Sequence, residues 1–246
     1  MTKLFIADLH LSESRPDLIQ AFIHFLETEA RTADELYILG DLFEFWIGDD
    51  EQSPLQQQIT HALRILAAHG CQLFYSHGNR DFMIGRRFAR ECGMTLLPPI
   101  YACELAGEKA LLLHGDQLCT DDEAYQRFRR ITSWPWLQWI FLHLPLSRRV
   151  KIAQKIRQGS HKGKQQKSHS IMDVTPQSVI TCFEQHKATL MIHGHTHRPQ
   201  IHDVTLSNNQ QARRIVLGDW DSDLWFLKID DRDINLISQP VNTAKN

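Results

Sequence analysis

Seven residues of metal-ligand type in this 246-residue chain each stand just after a short apolar run. Asp8 and His10 follow Leu-Phe-Ile-Ala, Asp41 follows Tyr-Ile-Leu-Gly, and Asn79 follows Leu-Phe-Tyr-Ser-His-Gly. His114 follows Ala-Leu-Leu-Leu, and His195 and His197 follow Leu-Met-Ile-His-Gly. An apolar run that stops at Gly or a polar cluster reads as a buried strand. Five strands ending this way would gather the ligands on one edge of a sheet. A single His or Gly-Asp at a strand end is usually structural, since both are common turn residues; five such endings in one chain point to a metal site. One ion rarely takes seven such side chains, whereas two ions sharing a carboxylate do. Mixed imidazole and carboxylate donors suit Mn, Fe or Zn better than Mg or Ca. Two divalent ions beside two aspartates leave about +2, which attracts a phosphate ester, and such ions sit ~3.5–4 Å apart to stabilise the attacking and leaving oxygens.

The elements that must hold these residues alternate. Strand-like runs at 4–7, 36–39, 72–76, 101–105 and 109–113 are interleaved with helical patterns at 17–30, 55–69 and 86–92. The rhythm resumes with a helix at 177–186 and strands at 189–193, 200–205, 213–217, 224–230 and 233–238. Alternation of this kind, closing in β-hairpins, predicts a layered α/β architecture.

The segment 120–170 breaks the rhythm. It has no strand-like run, reads as helices and holds Trp134, Trp136 and Trp139. Eleven Lys/Arg against three acids give it a local charge of +8 in a chain of net charge −2. The stretch 159–170 is polar and rich in Gly, Ser and Lys, and reads as a mobile loop. Phe128, Ile131, Trp134, Leu137, Ile140, Phe141, Ile152 and Ile156 could line an apolar groove or simply pack the segment onto the body.

Composition narrows the class. Hydrophobic content of 42% and charged content of 23% are those of an ordinary globular protein. Five cysteines without a CxxC pair argue against a disulfide framework or a Cys-rich zinc site, and for a reducing cytosol. The strand-like run begins at once, so no signal peptide is expected. The most apolar stretch, 134–146, is interrupted by Pro135, Gln138, His143 and Pro145, and falls short of the roughly 20 residues a spanning helix needs.

Asp-Leu-His, Gly-Asp, Gly-Asn-Arg-Asp, His-Gly-Asp and Gly-His-Thr-His, in that order between residues 8 and 197, resemble the calcineurin-like metallophosphoesterase family. The resemblance implies an α/β fold with a two-sheet β-sandwich core flanked by helices. The core would be 1–119 and 171–246, and 120–170 a helical lid insertion. It also implies two divalent metal ions, Mn²⁺ by preference. Asp8, His10, Asp41 and His197 would hold the first, and Asp41, Asn79, His114 and His195 the second, with Asp41 bridging. Many members carry His where this chain has Arg80. Arginine cannot donate a proton near neutral pH, but its planar fork matches phosphate oxygens. Either the leaving group needs little protonation, as a phosphate leaving a pyrophosphate does, or another residue supplies the proton.

Arg80, with Asp-Leu-Phe-Glu-Phe-Trp-Ile-Gly-Asp-Asp at 41–50 and Leu-Cys-Thr-Asp-Asp at 118–122, is similar to one branch of that family. That branch acts on UDP-2,3-diacylglucosamine in lipid A biosynthesis. The likeness implies hydrolysis to UMP and 2,3-diacylglucosamine 1-phosphate by metal-activated hydroxide attack on the α-phosphorus, with Asp41, Asn79, Arg80 and His195 catalytic. It implies substrate contacts from Asn79, Arg80, Asp122, Ser160, Lys164, Lys167 and His195; Tyr125 and Arg157 are added from their place in the same segment. The expected partners are the acylated UDP-sugar and an anionic membrane surface met by the basic, aromatic lid, at the cytoplasmic face of the inner membrane. No nucleic acid and no obligate protein partner are expected.

Two other readings compete. A dimetal nuclease or nucleotide phosphodiesterase could use the basic, Trp-bearing segment to stack and track a single strand. A non-catalytic phosphoesterase-fold scaffold would be marked by lost ligands, yet all seven are present.

Overall fold

The computed structural model describes residues 1–166, 173–231 and 233–241, with the side chains of 157–166 outside the description. Its elements run β1 (Thr2–Ile6), α1 (Pro16–Glu27), β2 (Glu35–Ile38), α2 (Pro54–Ala68), β3 (Gln72–Tyr75), α3 (Arg86–Cys92), β4 (Met94–Leu96), β5 (Ile100–Leu105) and β6 (Glu108–Leu113). They continue with α4 (Glu123–Thr132), α5 (Pro135–Leu142), α6 (Leu146–Gln166), α7 (Pro176–His186), β7 (Leu190–His193), β8 (Gln200–Thr205), β9 (Gln211–Val216), β10 (Asp223–Asp230) and β11 (Asp233–Pro240).

Strand alternation builds the layers. On β1, Leu4 and Ile6 point outward into a core shared with Phe22 and Phe25 of α1 and Ile59 and Leu63 of α2. Phe5 and Ala7 point inward, against Leu112 of β6, Ile192 of β7 and Ile215 of β9. On the far side, Leu111, Leu113 and Met191 pack against Val179 and Phe183 of α7. The result is helix, sheet, sheet, helix: a two-sheet sandwich flanked by helices. Phe5, Tyr37 and Phe74 stack across three neighbouring strands with ring centroids 4.8 and 4.7 Å apart. Such pairs contribute about 0.5–1.5 kcal/mol each beyond their burial.

One sheet has the order β11-β10-β1-β2-β3-β4, the other β5-β6-β7-β9-β8. Strands β1, β2 and β3 are parallel, as are β6 and β7. Their C-terminal ends therefore lie together within each sheet. The expectation of one sheet edge needs correction: the ligand-bearing ends come from two sheets whose edges meet. Local periodicity marks a strand end but carries no information about which sheet the strand joins.

Two further differences have physical causes. Strand β4 is three residues at a sheet edge with the burial of only Met94 behind it, too short to alternate visibly. The backbone of 159–166 continues α6 instead of forming a loop. Lys and Gln favour the helix, and each of Gly159 and Gly163 opposes it by only about 1 kcal/mol. Residues 167–170 of that expectation lie outside the described residues. Between β6 and β7, the described part of 120–170 consists of the three helices α4, α5 and α6.

Candidate metal centre

Five of the seven expected ligands have a left-handed backbone: Asp8, His10, Asp41, His195 and His197 have φ between 48° and 71°. A non-Gly residue held there costs of order 1–3 kcal/mol and persists only where its surroundings over-determine it. Hydrogen bonds between the loops do this. Asp8 N donates to Gly40 O at 3.1 Å, His10 N to Asp41 O at 2.9 Å, and His195 N to Asp8 Oδ2 at 2.7 Å. Arg80 N donates to Asp41 Oδ1 at 2.8 Å. The buried Asp81 carboxylate accepts from the backbone N–H groups of Asp41, Phe43 and Gly78 at 3.1–3.3 Å, joining the loops after β2 and β3.

The side chains converge. His197 Nε2 lies 3.5 Å from His10 Nε2 and 3.5 Å from Asp8 Oδ1. Asp41 Oδ2 lies 4.0 Å from His10 Nδ1 on one side and 3.7 Å from His114 Nε2 on the other. Asn79 Oδ1 is 3.1 Å from His114 Nε2, and the rings of His114 and His195 are 5.0 Å apart. Donor atoms of Asp8, His10 and His197, and of Asp8, Asp41 and His114, all lie within 4.8 Å of one another in each set. Neighbours fix the orientation of two rings: His114 Nδ1 is 2.9 Å from Leu39 O, and His197 Nδ1 is 3.1 Å from Asp219 Oδ2. Each arrangement leaves Nε2 facing the cluster, as outer partners of metal-bound imidazoles do.

These residues fit divalent cations. Asp8 Oδ1 and His10 Nδ1 are buried and, among the described residues, make no hydrogen bond. Burial, with Asp81 and Asp8 nearby, pushes the Asp41 carboxyl up to about 7, although His114 pulls it down. Burial would also raise Asp8, but His197, His114 and His10 outweigh it and hold that carboxyl well below the usual range. Burial drives His10 and His195 down to about 3, so both are neutral donors at physiological pH. Converging carboxylates and orphaned polar atoms in a largely buried site call for a cation.

Arg80 and Tyr125 border the cluster. Arg80 Nη1 is 3.5 Å from Glu44 Oε1, and Glu44 Oε2 is 3.7 Å from His10 Nδ1. The Tyr125 ring stacks on His195 at 6.1 Å while its hydroxyl donates to Asp116 Oδ2 at 2.6 Å. Asp122 is the N-cap of α4, accepting from Tyr125 N at 3.1 Å. Arg157, Ser160, Lys164 and Lys167 have side chains outside the described residues.

A cavity of about 390 Å³ opens beside the cluster at Glu44, Asn79 and Arg80. Its walls are Phe45, Trp46 and Ile47 of the loop after β2, Phe82 and Met83 after β3, and apolar residues of α4, α5 and α6. Phe128, Leu137, Ile140, Phe141, Ile152 and Ile156 line it; Ile131 and Trp134, expected in the same groove, do not.

Sequence reading missed Glu44, Asp81, Asp116 and Asp219. Asp81 and Asp116 close the Gly-Asn-Arg-Asp and His-Gly-Asp motifs. Asp219 ends Ile-Val-Leu-Gly-Asp after β9, the same signature as Tyr-Ile-Leu-Gly-Asp at Asp41.

Comparison with known proteins places this arrangement. Residues 1–199 match the calcineurin-like phosphoesterase family. A protein of Tolumonas auensis named UDP-2,3-diacylglucosamine hydrolase is 95% identical over the full length of both chains. Proteins of the same name from Aeromonas salmonicida and Enterobacter sp. are 55% and 50% identical, covering 89% and 98% of this chain and 86% and 100% of their own. With five strand-end motifs meeting at one cluster and a family match over most of its length, the chain belongs to the calcineurin-like phosphoesterases.

Proposed function

We propose that this chain hydrolyses the pyrophosphate bond of UDP-2,3-diacylglucosamine, giving UMP and 2,3-diacylglucosamine 1-phosphate in lipid A biosynthesis. The observation that carries the reading is the apolar cavity that begins at Asn79 and Arg80 beside the ligand cluster and ends among Ile140, Ile152 and Ile156. Acyl chains need an enclosed apolar wall, whereas a single-stranded nucleic acid needs an open basic groove with stacking rings. The near-identical relative carries the name of that activity over its whole length.

Asp8, His10, Asp41 and His197 would hold one divalent ion, and Asp41, Asn79, His114 and His195 the other, with Mn²⁺ the expected metal. Asp41 Oδ2, lying between His10 and His114, supports its bridging role. Bound there, the ions would draw charge from the phosphate and supply a nucleophile from water at neutral pH. Arg80 presents its guanidinium to the phosphate oxygens, held in aim by Glu44. Asn79 and His195 donate to charge building on the same oxygens. Water oxygen joins the α-phosphorus, the bridging oxygen leaves with the lipid phosphate, and the proton passes to solvent. Because that phosphate is a weak base, Arg80 serves where a proton donor is unnecessary.

The segment 120–170 acts as a lid over the acyl chains, with Asp122, Tyr125, Arg157, Ser160, Lys164 and Lys167 reaching the sugar nucleotide. No described helix is long and apolar enough to cross a membrane. Trp134, Trp136 and Trp139 are 44%, 56% and 61% exposed in a segment whose net charge is basic, which suits docking on the anionic cytoplasmic face of the inner membrane.

Purified protein loaded with Mn²⁺ is expected to release UMP from the acylated substrate, with ¹⁸O from labelled water appearing in UMP. Absence of UMP with both metals bound, or preferential cleavage of an oligonucleotide, would overturn the assignment.

A further inference from the structure

Arg149 is the most deeply buried Lys or Arg side chain among the described residues, 2% exposed at the start of α6. Its guanidinium reaches out of the helical segment into the loop that follows β2. Nη1 donates to Ile47 O at 2.6 Å and to Asp50 Oδ1 at 2.7 Å, and Nη2 pairs with Asp50 Oδ2. Gly48 makes room for it: with φ +133°, a Cβ there would sit 2.4 Å from Arg149 Nη1 and 2.8 Å from Leu142 Cδ2.

Two periodicities give this contact its meaning. Along α6, Arg149 shares a face with Ile152, Ala153 and Ile156, spaced three, four and seven residues on. Those three form the α6 wall of the apolar cavity. Along the loop, Asp41 belongs to the ligand cluster, Glu44 contacts His10 and Arg80, and Phe45, Trp46 and Ile47 form the opposite wall. Asp49 accepts from Gly85 N, Arg87 N and Phe88 N at 2.8–3.1 Å, which fixes the far end of the loop to α3. Arg149 thus ties the α6 wall to the loop wall next to the point where Asp49 anchors that loop to α3.

We propose that Arg149 and Asp50 are a specificity-determining positioning pair: they set the rotation and depth of α6 over the loop, and so the width of the acyl cavity relative to the metal centre. Neither touches the reacting atoms. The proposal rests on the reading of the cavity as an acyl receptor, and the test separates the two.

The measurement is the ratio of kcat/KM for a substrate with long acyl chains to that for its short-chain counterpart, on Mn²⁺-loaded full-length protein. A wild-type ratio near unity would sink the acyl reading itself. With a wild-type preference established, Asp50→Asn is expected to lower the ratio about tenfold, chiefly through KM for the long-chain substrate. Asp50→Glu, which keeps the charge, should restore most of it. Because the Asp50 carboxylate is half exposed, the Asn variant is expected to fold, and bound metal per chain should be unchanged. Arg149→Lys, which loses the bidentate fork, should lower the ratio in the same direction. A ratio unchanged in both Asp50→Asn and Arg149→Lys, whether or not both rates fall, would overturn the proposal and leave the pair a fold-stabilising contact.

Discussion

The Nδ1 atom of His197 lies 3.1 Å from Oδ2 of Asp219, while Nε2 of the same ring lies 3.5 Å from Asp8 Oδ1. Asp219 therefore fixes which nitrogen of His197 faces the cluster. Outer partners of this kind typically support metal affinity by 10–100-fold. Asp219→Ala is expected to weaken metal binding by roughly that factor, while Asp219→Asn retains part of it through a hydrogen bond. Metal titration followed by elemental analysis checks this; unchanged affinity in both variants would remove Asp219 from the site.

Glycine at 78 and 194 is demanded by the neighbouring Asp41 and Asp8. A Cβ on Gly78 would lie 2.1 Å from Asp41 Oδ1 and 2.3 Å from Asp41 N, and one on Gly194 would lie 2.2 Å from Asp8 Oδ2. Because a backbone atom or a ligand oxygen must move, Gly78→Ala or Gly194→Ala should lower turnover by about 10²-fold or more. Gly107→Ala serves as the control, since a Cβ there meets nothing within 4 Å and only its φ of +81° is strained. That variant should lose about 1 kcal/mol of stability and keep its activity. Comparable activity in all three would refute the steric argument.

Metal uptake should release protons. Burial opposes the charge on His114 and His197, but Asp41, Asp8 and Asp116 lift His114 to about 9, and Asp219 and Asp8 lift His197 to about 10. Asp41 stands at about 7. Ligation needs all three deprotonated, so apparent affinity rises with pH across the window from about 7 to 10. Calorimetry at pH 7 in buffers of different ionisation enthalpy should register net proton release; none would contradict the assignment of these ligands.

The same shifts affect stability without metal. A raised histidine pKa favours the folded state fully below the unfolded value of 6.5, and that contribution disappears as pH rises through about 9 and 10. The metal-free protein should therefore lose Tm between pH 6.5 and 10 more steeply than the loaded protein. Parallel Tm curves for the two forms would count against it.

Ala153 lines the apolar cavity on α6, opposite Trp46 and Ile47. Ala153→Trp should fill part of that space and raise KM for the long-chain substrate about tenfold or more, with metal content unaltered. A wild-type KM in this variant would place the acyl chains elsewhere.

Much of this was legible locally. Each expected ligand stands one to four residues beyond a run whose apolar length and Gly or polar stop announced a buried strand, and the unbroken apolar run at 4–7 agrees with a strand buried on both faces. Asp219 carried the same signature and was overlooked because its run lies downstream of the last motif. Glu44 and Asp50 stood inside the 41–50 motif without a role of their own, and Arg149 carried no signature, since a surface-type charged residue reads as solvated until its partner is known.

Sequence by itself determined the residue types, their strand-end positions and the helical character of 120–158, because each depends on neighbours within a few positions. Tertiary structure alone decided that two sheet edges meet, that His195 N finds Asp8 across 187 residues, and that Arg149 crosses to Asp50 across 99. It also held five of the expected ligands, Asp8, His10, Asp41, His195 and His197, in a left-handed backbone that their own side chains disfavour. Those outcomes depend on burial and on hydrogen bonds between segments distant along the chain, and no local spacing encodes which segments will meet.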